Sequence, residues 1–212
     1  MGAFLQNIRY VAWTALAAGL VFLVYVAVSL ANQPPPEPLF LQALLRWTHV
    51  LSGIMWIGHL WYFNFTQIPN VPKIPEEHRG PAISKVIAPA ALFWFRWGAM
   101  LTIITGLLLA WNLNYLAEAL TLGALDEPAF AVPKHIFIGI GMWLGIIMWF
   151  NVWFIIWPNQ QKALGIGEAN AALPADVKAK SARTAMLFSR TNTWLSAPML
   201  VAMTGATTLF GG

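Results

Sequence analysis

The sequence predicts an all-α, polytopic membrane protein, a bundle of five transmembrane helices with a cytoplasmic N-terminus and a periplasmic C-terminus. Three observations predict it. Of the 212 residues, 58% are hydrophobic and 9% charged, against roughly 45–50% and 25% in a soluble domain. Twelve Trp and 13 Phe carry more apolar surface than a chain of this size hides within itself, so lipid must cover it. Apolar runs long enough to cross a bilayer also alternate with polar or proline-bearing connections.

The runs lie at about residues 10–31, 39–63, 88–116, 133–157 and 188–210. The first holds Tyr10 to Leu30, enough for the ~30 Å hydrocarbon core and longer than the apolar part of a signal peptide, so it is expected to be a retained helix. Asn32 to Pro38, with four prolines, cannot continue it and forms a short link. The second run stops before Gln67-Ile68-Pro69, and a polar loop with Lys73, Glu76, Glu77, His78, Arg79 and Lys85 leads to the third. An acidic link carrying Glu118, Asp126 and Glu127 precedes the fourth run, which starts near Pro133. Pro158 is expected to end that helix, with Asn159 and Gln160 satisfying the freed carbonyls. A second basic loop with Lys162, Lys178, Lys180, Arg183 and Arg190 introduces the fifth. Nothing in the pattern separates a soluble domain, so residues 1–212 read as a single integral membrane domain.

Lys and Arg set the orientation. The N-terminal tail with Arg9 and the two basic loops hold most of them, whereas the other two connections hold Glu37, Glu118, Asp126, Glu127 and one cation, Lys134. The positive-inside rule then places the N-terminus in the cytoplasm. Net charge is +4, but the cations sit in loops rather than along one face interleaved with aromatics, which argues against a nucleic-acid partner. Trp47, Trp61, Tyr62, Trp94, Trp97, Trp153 and Trp157 lie at run ends, as expected of headgroup anchors. There is no Cys, so thiolate metal sites and covalently attached haem are excluded, and a metal would need His, Met or oxygen ligands.

At membrane depth a strongly polar side chain is costly and faces a partner, a cavity or a cofactor. Those to weigh are Arg46, His49, His59, Arg96, His135, Asn151, Arg190 and Asn192. Residues 49, 52, 53, 56 and 59 follow the helical period, so His49 and His59 share a stripe, ~15 Å apart along the axis. Ser52 and Gly53 lie between them, and such small residues either let another helix approach or leave room for a flat macrocycle. His135 opens the fourth run, which enters from the same outer face as the second. His49 and His135 are therefore at similar depth and can share a ligand if their helices are neighbours. Two imidazoles on facing helices are one way to hold b-type haem iron. His59 and His78 offer a second, cytoplasmic pair. Arg96 either snorkels to the headgroups or pairs with a haem propionate or an anionic substrate. The alternative for His49, His59 and His135 is an ordinary interhelical hydrogen bond, and for His78 a solvated place in its loop. Gly139, Gly141 and Gly145 read as packing notches, and Met100, Met142, Met148 and Met199 as fillers.

Four blocks carry a resemblance: Arg46-Trp47-Thr48-His49-Val50-Leu51-Ser52-Gly53-Ile54-Met55-Trp56-Ile57-Gly58; Phe93-x-Phe95-Arg96-Trp97 leading to Thr105-Gly106; Asn151 through Gln160; and Ser189-Arg190-Thr191-Asn192-Thr193-Trp194-Leu195-Ser196-Ala197-Pro198. Together, over roughly residues 39–210, they resemble the membrane domain of the PuuD-type urate hydroxylases (the urate oxidase N-terminal family). More distantly they resemble HemJ-type protoporphyrinogen oxidases and CopD-like membrane proteins. The resemblance implies a bacterial inner-membrane bundle tied to redox chemistry, with His49 in the place of that family's helix-two histidine. Thr191 stands where the family commonly has His.

The function expected from these features is b-haem binding and electron transfer in the inner membrane, alongside a cytochrome c or other subunits of a respiratory complex. His49 and His135 are the expected axial ligands, with Arg96 as a propionate or quinone-side partner and His59 as a further cofactor contact. The alternatives are a cofactor-free accessory subunit of a larger membrane complex, and a membrane oxidoreductase acting on urate or a porphyrinogen.

Overall fold

The computed structural model describes residues 7–26, 28 and 37–210. The proline-rich link expected at 32–38 and the end of the first run lie largely outside them. Every regular element among the described residues is helical. By contacts the chain divides into two compact units, Met1–Arg46 and Trp47–Gly212.

In the first unit, α1 spans Ile8–Tyr25 and is capped by the Asn7 side chain, which accepts from Arg9 N at 3.0 Å. It is apolar around its whole circumference, and Trp13, Val21 and Phe22 are exposed, as suits a helix facing lipid. The helix α2, Glu37–Trp61, begins in this unit and continues into the second.

In the second unit α2 passes into a π-helical turn, Tyr62–Gln67, and then single turns up to Lys73. The expected polar loop is thus mostly helical. Arg79 folds it back by donating from Nε to Ile74 O and from Nη2 to Pro72 O, both at 2.6 Å. A second π-helical run, Arg79–Ile87, leads without a break into α3, Ala88–Asn112. A short α4, Leu116–Leu120, precedes α5, Pro133–Phe150, a π-helical turn Asn151–Ile156, and α6, Trp157–Leu164. A single turn, α7 (Glu168–Ala171), then leads to α8, Ala175–Phe210.

Two expected boundaries change. Pro158 does not end the fourth helix, because it falls in the first turn of α6 directly after a π-helical turn, where a missing N–H costs little. Asn159 does serve a carbonyl, donating from Nδ2 to Ile155 O at 2.8 Å. The last helix starts at Ala175 rather than near 188 and runs through Pro198.

Among the described residues, three helical stretches are long and apolar enough to cross a bilayer: Ile8–Tyr25, Glu76–Asn112 and Pro133–Leu164. The helices α2 and α8 have the length, at 25 and 36 residues, but carry more polar side chains. Several of those are buried, among them Ser52, Ser189, Asn192 and Ser196. The core joins Trp56 and Leu60 of α2, Phe95 of α3, Met148, Val152 and Ile156 of the Pro133–Leu164 stretch, and Ala185 and Met199 of α8. Met148 and Met199 are therefore fillers, as expected.

Candidate functional site

The stripe expected on α2 is the face it turns toward α3. Ser52 and Trp56 are buried, and the backbones come so close that a Cβ on Gly98 would lie 3.1 Å from Trp56 N and 3.4 Å from Ser52 O. Gly53 faces Thr102 Cγ2 at 3.9 Å from where its own Cβ would be. The small residues of α2 thus admit a helix, and α3 occupies the notch.

His49 stands at the end of this face. Its Nδ1 is 2.9 Å from Thr102 O and 3.3 Å from Thr105 Oγ1. The Thr105 hydroxyl proton is directed to Leu101 O at 2.6 Å, so both neighbours of Nδ1 are acceptors. The imidazole therefore donates from Nδ1, and in its neutral form the lone pair is on Nε2. Gly106 makes the seat: a Cβ there would lie 2.9 Å from His49 Cε1 and 3.2 Å from Nδ1.

His135 lies in the first turn of α5 behind Pro133. Its Nδ1 is 2.7 Å from Asp126 Oδ1, and the two side chains are 19% and 1% exposed. Asp126 Oδ2 accepts from Val132 N at 3.3 Å, which fixes the carboxylate. Tyr115 stacks on the imidazole, centroids 5.8 Å apart at 23°. The carboxylate selects the same tautomer as in His49, with Nε2 basic. The seats of the two histidines are close along the chain: Gly106 lies six residues, or about 9 Å, before the end of α3, and Tyr115 follows just beyond Asn112.

The other two expected residues lie elsewhere. His59 Nδ1 is 2.7 Å from Met55 O in its own helix, and its ring tilts over Phe63 at 6.5 Å, a local arrangement. Arg96 is ten residues from Gly106 on α3, about 15 Å toward the opposite end of the helix. Its guanidinium stacks on Trp157 at 3.3 Å and approaches Trp153 at 5.5 Å, while Nε donates to Leu92 O at 3.2 Å. It is held by aromatic faces of the Pro133–Leu164 stretch.

Sequence reasoning treated Asp126 as a link residue and did not weigh Tyr115. Their roles depend on how residues 113–132 fold back onto α5, which no periodicity encodes. The nearest signal was an acidic residue nine positions before an expected membrane histidine. Asn151 and Asn192, both singled out as costly polar groups, do meet, Asn151 Nδ2 donating to Asn192 Oδ1 at 2.8 Å. No family model, curated protein or solved structure matches this chain.

Proposed function

We propose that the chain binds b-type haem in the bacterial inner membrane and passes electrons to or from a partner; His49 and His135 would hold the iron through Nε2. The observation that carries this reading is shared by the two residues. Each imidazole has its Nδ1–H committed to a fixed acceptor, Thr102 O or Asp126 Oδ1, the arrangement that orients a ligating histidine and raises its basicity. The donor chemistry fits iron, and a shared iron would have to bridge seats nine residues apart along the chain, at Gly106 and Tyr115. Haem supplies a one-electron carrier, while the protein sets its potential through ligand basicity and burial. Arg96 and His59 belong to other neighbourhoods and are left out of the ligand pair.

The accompanying topology is one membrane domain with five spans, α2 and α8 joining the three more apolar stretches, N-terminus cytoplasmic and C-terminus periplasmic. It rests on the distribution of Lys and Arg and on the burial of the polar residues of α8. The partners in this reading are the lipid bilayer and a cytochrome c or other membrane-complex subunits. An optical spectrum of the chain purified in mild detergent tests it. A reducible Soret and α band that disappears in both His49→Ala and His135→Ala is expected, and a colourless preparation from haem-replete cells refutes it.

A second reading, a cofactor-free accessory subunit, is favoured by the notch at Ser52 and Gly53, which α3 fills. A third, oxidation of urate or a porphyrinogen, rests on the resemblance alone and is tested by substrate consumption with added cytochrome c.

A further inference from the structure

At the end of the bundle bearing the basic loops lies a cavity of about 500 Å³, within the range of small-molecule sites. Its walls include Phe63, Leu92, Phe95 and Ile156. The π-helical runs Tyr62–Gln67, Arg79–Ile87 and Asn151–Ile156 all contribute lining residues: Phe63 and Gln67, Ile83 and Ser84, and Ile156. Such runs widen a helix locally, cost stability and recur at functional sites, and here they converge on one space.

The polar groups of the lining narrow the ligand. Gln67 and Gln160 reach it from different elements, and Gln67 Oε1 is buried without a hydrogen-bond partner. A buried acceptor of this kind calls for a donor. The lining has no carboxylate, and its one charged side chain, Arg183, is exposed. The interior therefore suits a neutral head rather than an ion. Phe63 and Phe95, edge to face at 87° and 5.6 Å, supply aromatic surface for a ring.

We propose that this cavity binds the head of a membrane hydroquinone, an apolar aromatic ring with hydroxyl groups at its two ends, one of which donates to Gln67 Oε1. A quinone of the same skeleton offers only acceptors there, so Gln67 would have to turn its amide and bury Oε1 elsewhere to bond it, and the quinone binds more weakly. The site lies apart from His49 and His135, so occupancy does not depend on iron, and the haem spectrum and this binding can fail separately.

The test is a titration of the full chain in detergent, under argon, with a decyl-substituted benzoquinol and with its quinone. The quinol is expected to bind roughly tenfold more tightly, the worth of one net hydrogen bond. Gln67→Leu should bring the two affinities together, and Leu92→Trp should abolish both. If Leu92→Trp loses its helical circular dichroism, Ser84→Phe fills the same space from another element. Equal affinities in the unmodified chain overturn the proposal, as does a preference that survives Gln67→Leu. Native mass spectrometry showing a phospholipid that quinol does not displace overturns it in favour of a lipid site.

Discussion

Asn192 is fully buried in α8 and satisfied from both sides: its Oδ1 accepts from Asn151 Nδ2 at 2.8 Å, and its Nδ2 donates to Met148 O at 2.9 Å. Removing one partner strands the other at membrane depth. Measured interhelical hydrogen bonds in lipid average about 0.6 kcal/mol with a maximum near 1.7, whereas a stranded buried amide costs about 1–3 kcal/mol. Asn192→Leu is expected to destabilise the bundle by about 1–3 kcal/mol in an unfolding titration. The double variant Asn151→Leu/Asn192→Leu should lose less than the two single losses added. Strict additivity would show that the pair contributes nothing as a pair.

Gly106 has no room for a methyl group, because the imidazole of His49 already occupies that space. Gly106→Ala must push the ring off Thr102 O or bend α3 away, and overpacking of this sort costs about 1–3 kcal/mol. Adding His49→Ala removes the obstructing ring, so Gly106→Ala/His49→Ala should be more stable than Gly106→Ala. If it is instead less stable, the clash is not the cause. Under haem loading, Gly106→Ala should also weaken or shift the absorption band.

The stripe on α2 was legible because a 3.6-residue period needs no knowledge of the partner: residues 49, 52, 53 and 56 share a face wherever that face ends up. Which helix would cover it was not legible, since Ser52 and Gly53 serve a close-packed helix and a macrocycle equally well. The polar pair Asn151 and Asn192 stood out on desolvation cost alone. By contrast Pro158 misled, because a proline placed in the first turn after a π-helical run no longer interrupts the helix. Asp126 was invisible as a partner of His135, its position being set by the irregular fold of residues 113–132.

Asp126 gives His135 an acceptor that is charged and held in place. Asp126→Asn keeps an oxygen within reach of Nδ1 but removes the charge, which lowers the electron density on Nε2. With haem bound, the reduction potential is expected to rise and haem retention to fall, by 10–100-fold in affinity if this outer partner behaves as others do. Asp126→Ala should lose more, as Val132 N and His135 Nδ1 both lose their acceptor. A redox titration in which Asp126→Asn leaves the potential unchanged would exclude His135 as a ligand.

Arg96 Cζ lies over the Trp157 ring, 3.3 Å from its centroid, an approach that suits a planar guanidinium. Lysine keeps the charge but not the plane, so Arg96→Lys is not conservative here. Cation–π contacts contribute about 0.5–2 kcal/mol, the more so when desolvated. Arg96→Lys should lose part of that in thermal unfolding, and Trp157→Leu a similar part. Combining them should add little further loss. If Arg96→Lys is as stable as the parent, the charge alone accounts for the residue.

The first four crossings of the proposed five-span arrangement can be tested directly, because the chain has no native cysteine and any thiol introduced is the sole reporter. Glu77 and Glu168 are exposed in the two basic connections, and Leu125 is exposed in the acidic one. A membrane-impermeant maleimide applied to intact spheroplasts should label Leu125→Cys. It should reach Glu77→Cys and Glu168→Cys only after permeabilisation. Ala3→Cys should behave like Glu77→Cys if α1 and α2 both cross, since two crossings return the chain to the same side. Labelling of Ala3→Cys together with Leu125→Cys, while Glu77→Cys stays protected, would mean that one of the first two helices lies along the membrane instead of across it. The positive-inside assignment would then rest on α3 and the Pro133–Leu164 stretch alone.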